Sequence, residues 1–215
     1  MIQFKNVSKE IGGTPIIRNF SLTIGTGEAT CLCGPSGIGK TTLLEIGAKL
    51  TTPDSGAIHH GSKTIGCAFQ DDILIPWLTA QSNIELVLHS RMSNTRDVAE
   101  QWLKFFELSP DMKPPKMSGG MRRRLSLARA FAINPLILLL DEPFAFLDEE
   151  WQEKVAHLIE NQRANGSAIL LVSHQTRQLE TFNCRTIQIT TAPITHCLNR
   201  ATTSVGPLLS ATMQN

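Results

Sequence analysis

Eight residues, Gly34, Pro35, Ser36, Gly37, Ile38, Gly39, Lys40 and Thr41, constrain this chain more than any other stretch. Residues 29–33 before them are apolar enough for a buried strand, and residues 41–49 after them carry Leu43, Leu44 and Ile46 on one helical face. A strand that turns through glycines into a helix lets backbone N–H groups curl inward around phosphate oxygens, and the first helical turn adds positive partial charge. In that setting Lys40 neutralises the outer phosphates of a nucleotide. The Thr41 hydroxyl, with Thr42 beside it, is placed to hold a magnesium ion. The same pattern can arise in an incidental strand-to-helix turn, so the rest of the chain decides its meaning.

Residues 136–140 are all aliphatic, as a central parallel strand buried on both faces requires, and the run ends in Asp141 and Glu142. Doubly wound sheets gather their ligand chemistry at the carboxyl ends of such strands. Asp141 is expected to bind magnesium, directly or through water. Glu142 is expected to project past it and to orient and polarise a water that attacks the γ-phosphate. Capping of the next helix is the alternative for one of these acids, but not for both.

Around these two landmarks, residues 2–7 and 20–24 alternate apolar and polar on either side of Gly12 and Gly13, which reads as antiparallel strands. Short strands are expected at 57–59 and 64–69, with His59 and His60 as turn residues. Thr79 caps a helix, and Val98, Trp102, Leu103 and Phe106 form the apolar stripe of another. A basic helix follows Gly119, whose Arg122, Arg123 and Arg124 are expected to form a solvated face or ion pairs rather than a nucleic-acid site. Trp151, Val155, Leu158 and Ile159 mark the next helix, and 168–172 and 185–189 the last strands. No internal repeat is present. The expectation is one domain over 1–215, with a helical subdomain near 72–125 and a tail at 200–215 that frays.

With 215 residues, 41% of them hydrophobic, the chain can bury a sizeable core, and a formal charge of +1 gives no long-range pull toward nucleic acid or anionic lipid. Cys31, Cys33, Cys67, Cys184 and Cys197 are odd in number and scattered, and no secretory signal precedes them, which fits a reducing compartment. The period-two pair Cys31 and Cys33 reads as two buried thiols on one strand face rather than metal ligands. No apolar run approaches the roughly 18 to 20 residues that cross a bilayer.

Further short segments complete a pattern. Phe69-Gln70, Met117 to Met121 with Ser118, Gly119 and Gly120 at its centre, Ala145 to Asp148, and Ser173-His174 follow in order. Together with the glycine-rich loop and the acidic strand they resemble the ATP-binding-cassette family over roughly residues 1–189. The resemblance implies an α/β fold: a P-loop NTPase (RecA-like) core, an N-terminal antiparallel β lobe and an inserted α-helical subdomain. It implies ATP hydrolysis coupled to transport. Gln70 then senses magnesium and links to a membrane subunit, and His174 contacts the γ-phosphate. Ser118, Gly119 and Gly120 grip the γ-phosphate of ATP on the other subunit, with Asp148 in the adjoining D-loop, so ATP binding makes a homodimer. Permease subunits and a separate solute-binding protein are implied partners, and the location is peripheral, on the cytoplasmic face of the cell (inner) membrane.

Three positions depart from the family pattern: Ile11 stands where an aromatic usually stacks on adenine, Met121 replaces a usual Gln, and Phe146 replaces a small residue. Residues 70–79, which include Pro76 and Trp77, look like the corresponding segment of the nitrate, sulfonate and taurine importers, so the expected cargo is a small anion or sulfonate. Trp77 is expected either to pack against a permease helix or to fill the lobe's own core. A cassette ATPase that remodels protein or nucleic-acid complexes is the alternative function. Such proteins resemble two cassettes in one chain or carry long insertions, and this chain has neither. A solitary P-loop kinase or switch leaves the Ser118 segment without a task.

Overall fold

The computed structural model describes residues 1–88, 94–174, 178–179, 182–195 and 198–200. Cys197 and the expected fraying from residue 201 onward lie outside the described residues. Strands β1 (Ile2–Ile11) and β2 (Thr14–Ile24) form a hairpin around Gly12 and Gly13, whose φ of 58° and 79° suit a tight turn. Both run longer than the alternation at 2–7 and 20–24 suggested, because bulges between Phe4, Val7, Lys9 and Glu10 break the period while the pairing continues. The third strand of this antiparallel sheet is β4 (Ser55–His60), which pairs with β1. His59 and His60 therefore sit in a strand and not in a turn, and His60 Nε2 lies 2.7 Å from the Gly47 carbonyl oxygen.

The second sheet runs β5 (Ile65–Ala68), β6 (Ile137–Asp141), β7 (Ala168–Val172), β3 (Ala29–Cys33), β8 (Cys184–Gln188) and β9 (Leu198–Arg200). Its first five strands are parallel, and β9 closes the edge antiparallel. Every residue of β3, β6 and β7 is buried. Alternation sends Cys31, Cys33, Leu138, Leu140, Ile169 and Leu171 to one face, and Leu32, Ile137, Leu139, Leu170 and Val172 to the other. Burial of each such aliphatic side chain contributes about 1.5–3 kcal/mol. The first face is covered by α2 (Ala80–Leu88), α3 (Thr95–Phe105), α4 (Gly119–Ala132) and α5 (Glu149–Ala164). The second is covered by α1 (Lys40–Gly47) and the antiparallel sheet.

Thr79 caps α2 as expected, its Oγ1 accepting from Ser82 N at 3.1 Å. Helices α2, α3 and the start of α4 fall within residues 72–125, and α4 continues through 125 to Ala132 and packs against β5. The thiols of Cys31 and Cys33 are buried on one face with their sulfurs 3.6 Å apart. No helix among the described residues is long and apolar enough to cross a membrane.

Candidate active site

Val172 of β7 pairs with Asp141 of β6 on one side and with Leu32 of β3 on the other. Since all three strands are parallel, the residues that follow them leave the sheet at one edge. The glycine-rich loop, Glu142 and His174 thus come together although the sequence separates them widely. Glu142 N donates to Val172 O at 2.9 Å, which ties the second acid to the neighbouring strand end.

Two of the loop glycines are required by close approach. A Cβ on Gly34 would stand 2.4 Å from the Ile189 carbonyl oxygen, and one on Gly39, whose φ is 108°, would stand 2.4 Å from Ile16 Cγ2. The loop is thereby pressed onto β2 and onto the chain after β8. Ile38 anchors it from below, buried with Leu43 and Leu44, while Pro35, Ser36 and Gly37 stay exposed. Lys40 is only 5% exposed and its Nζ donates to the carbonyls of Gly34 and Pro35 at 2.8 Å each. An ammonium has three N–H groups, so one is available to a phosphate oxygen. No acidic residue occupies the first turn of α1, so the positive end of its dipole is not cancelled there.

Thr41 Oγ1 donates to Asp141 Oδ2 at 2.7 Å. Burial pushes the Asp141 carboxyl above its ordinary value, opposed by the Thr41 hydrogen bond and by the Arg123 and Lys40 charges. A hydroxyl and a carboxylate at this distance are hard oxygens of the kind magnesium takes, and that ion needs few protein ligands. Glu142 adopts a left-handed φ of 49°, uncommon for a side chain of its size and held here by the Val172 hydrogen bond. Its Oε2 accepts from His174 N at 3.3 Å, and His174 Nε2 lies 3.2 Å from Oε1, which has no well-directed hydrogen bond of its own. Burial pushes the Glu142 carboxyl up as well, opposed by the His174 N–H.

Comparison with known proteins matches a family model described as ABC transporter to residues 17–145. The bicarbonate transport ATP-binding protein CmpD of Synechocystis is 34% identical over 214 residues, covering 89% of this chain and 75% of that protein. The taurine import ATP-binding protein TauB of Pseudomonas aeruginosa is 38% identical over 172 residues, covering 74% of this chain and 65% of its own length. A solved structure of the dimeric ATP-binding cassette MJ0796, in a post-hydrolysis state bound to ADP and Pi, superposes with a TM-score of 0.81 at 32% identity, covering 88% of this chain and 94% of that one. The chain belongs to the ABC transporter family.

As an ABC cassette it is an ATP-binding ATPase. Ser118 caps α4, its hydroxyl accepting from Met121 N at 3.2 Å, and stands exposed with Gly119 and Gly120 half-buried behind it. Phe146, 73% exposed and at a φ of 62°, lies against them, within 3.7 Å of a Cβ built on Gly119. Asp148 is the N-cap of α5, where its Oδ1 accepts from Trp151 N at 2.9 Å. Gln70 is exposed and, with Pro76, Pro114, Arg122 and Phe146, lines an open groove of about 530 Å³. Trp77 is 71% exposed and does not fill a core of its own segment. Ile11, at the end of β1, is 53% exposed.

Of the three consecutive arginines Arg122 is exposed, while Arg123 forms an ion pair with Asp72, so both of the expected outcomes occur within the run. Arg122 donates to Met117 O at 2.8 Å, and Arg124 donates to Phe106 O at 2.7 Å and lies 4.4 Å over the Trp151 ring. Arg123 is 1% exposed and reaches Phe69 O, Asp72 and Asp141 O. Sequence reasoning allowed for the ion pair but not for the burial, since a charge run on a helix ordinarily faces water. The acidic Asp72 near Gln70 was the available signal for a buried partner.

Proposed function

We propose that two copies of this cassette close around ATP and magnesium and thereby drive uptake of a small anion or sulfonate through membrane permease subunits. The observation that carries the reading is the convergence of Lys40, the Thr41–Asp141 pair and the Glu142–His174 pair at one sheet edge. The exposed amino end of α4, opening with Ser118, Gly119 and Gly120, supplies the donors that complete the partner's site. Thr41 and Asp141 hold magnesium, with Gln70 entering its surroundings from the groove. Magnesium held by these residues would supply positive charge that offsets the phosphates.

Glu142 orients a water and takes its proton as the water oxygen bonds to the γ-phosphorus and the bond to the ADP oxygen breaks. His174 donates to a γ-phosphate oxygen. Asp148, by fixing the start of α5, holds the D-loop at the subunit boundary. The permease docks in the groove beside Gln70, where residues 70–79 present the exposed Trp77. On this reading the chain sits peripherally on the cytoplasmic face of the inner membrane, with a solute-binding protein on the far side. The cargo class is supported by the relatives named for bicarbonate and taurine, and by a 39% identical sulfate/thiosulfate import ATP-binding protein of Pseudomonas syringae.

Uptake of labelled bicarbonate, taurine and sulfate in cells carrying either the native chain or Lys40→Ala tests the proposal. Loss of one of these uptakes supports it, and unchanged uptake of all three contradicts it.

A further inference from the structure

Arg123 takes no part in the chemistry proposed above, yet it leads the fully buried side chains in volume. Burial of a guanidinium is costly unless its N–H groups are matched, and here both terminal nitrogens are matched while Nε–H has no partner. Nη1 donates to Phe69 O at 2.6 Å and lies 3.4 Å from Asp72 Oδ1, and Nη2 donates to the Asp141 carbonyl. A carbonyl oxygen shares one rigid plane with the N–H of the next residue. Phe69 O therefore belongs to the peptide that leads into Gln70, and Asp141 O to the peptide that leads into Glu142. One planar fork holds both.

The third partner connects this clamp to the surface. Asp72 lines the same groove as Gln70, Pro76, Arg122 and Phe146. It carries the one carboxylate within salt-bridge distance of Arg123 among the described residues. Displacement of Asp72 by an occupant of the groove takes the nearest counter-charge from a buried guanidinium and leaves Asp141 and Glu142 as its acidic neighbours, which favours a shift of the fork and of both peptides.

We propose that Arg123 is a positioning residue, and that its contact with Asp72 carries changes in the groove to the peptides that aim Gln70 and Glu142. The inference rests on the reading of Glu142 as the residue that orients the attacking water. Lys in place of Arg123 keeps the charge but cannot span both carbonyls with one planar group.

The test compares the purified full chain with Arg123→Lys, Asp72→Asn and the double variant, reading ATP turnover and the binding of a fluorescent ATP analogue separately. The expected result is a kcat lowered about tenfold in Arg123→Lys and about threefold in Asp72→Asn, with nucleotide Kd within about twofold of the native value. The double variant is expected to be no slower than Arg123→Lys alone, since both changes cut one link. Native kcat in Asp72→Asn, or losses that multiply in the double variant, would overturn the proposal. Should Arg123→Lys fail to fold, Asp72→Asn decides alone: lowered kcat at unchanged Kd supports the link, and native kcat overturns it. Glu142→Gln measured alongside separates the two ideas, because an active Glu142→Gln sinks the reading of Glu142, whereas an inactive one beside a fully active Asp72→Asn sinks only the link.

Discussion

The Thr41 hydroxyl donates to Asp141 Oδ2 at 2.7 Å, joining the end of the phosphate loop to the end of β6 across 100 positions of sequence. If this pair holds magnesium, Thr41→Ala should raise the magnesium concentration needed for half-maximal ATP hydrolysis by about 10-fold, in line with the loss of a supporting partner at a metal site. Thr41→Ser, which keeps the oxygen, should stay near the native value. A magnesium titration of phosphate release checks both.

Asp148 has a structural task independent of any partner. Its side chain accepts from Trp151 N at 2.9 Å, and Glu149 and Glu150 follow it in the first turn of α5. Asp148→Ala should lower unfolding free energy by about 1 kcal/mol in urea, with Asp148→Ser losing less.

Ile11 ends β1 half-exposed where the family resemblance places a stacking aromatic. Ile11→Tyr should tighten ATP binding by about 0.5–1.5 kcal/mol, the usual contribution of an aromatic pair beyond burial. Equilibrium binding of a fluorescent ATP analogue measures it, and unchanged affinity would mean that the base does not lie over this strand end.

How much of this was legible beforehand varies with the kind of signal. The phosphate loop and the acidic strand were readable because buried parallel strands such as Ile137–Asp141 and Ala168–Val172 must be apolar on both faces, which sequence displays directly. The place of β4 was not. Ser55–His60 is short and only partly buried, so nothing local assigns it to the β1 sheet, and its histidines read as turn residues. The burial of Arg123 and the exposure of Trp77 were left open for the same reason, since whether a long side chain is covered depends on what tertiary packing brings over it. Arg123 lies under residues 69–72, whereas the Trp77 ring is left uncovered.

His60 offers a test by pH. Burial lowers its pKa below the ordinary 6.5, opposed by its contact with the Gly47 carbonyl. A depressed folded value means that the unfolded chain binds the proton first. The stability contribution is thus present above pH 6.5 and is lost as pH falls through the lowered folded value. Thermal melts of native chain and His60→Asn should therefore converge or cross as pH is lowered from 7.5 to about 5. A constant difference in Tm over that range would exclude the effect.

Glu142→Gln tests the central claim most directly, by light scattering on a sizing column with and without ATP. The expected result is a monomer that becomes a stable dimer with ATP and releases no phosphate. This would make Glu142 the residue that activates water in a site completed by the partner's Ser118, Gly119 and Gly120. A variant that stays monomeric and still hydrolyses ATP would contradict both the composite site and the role of Glu142.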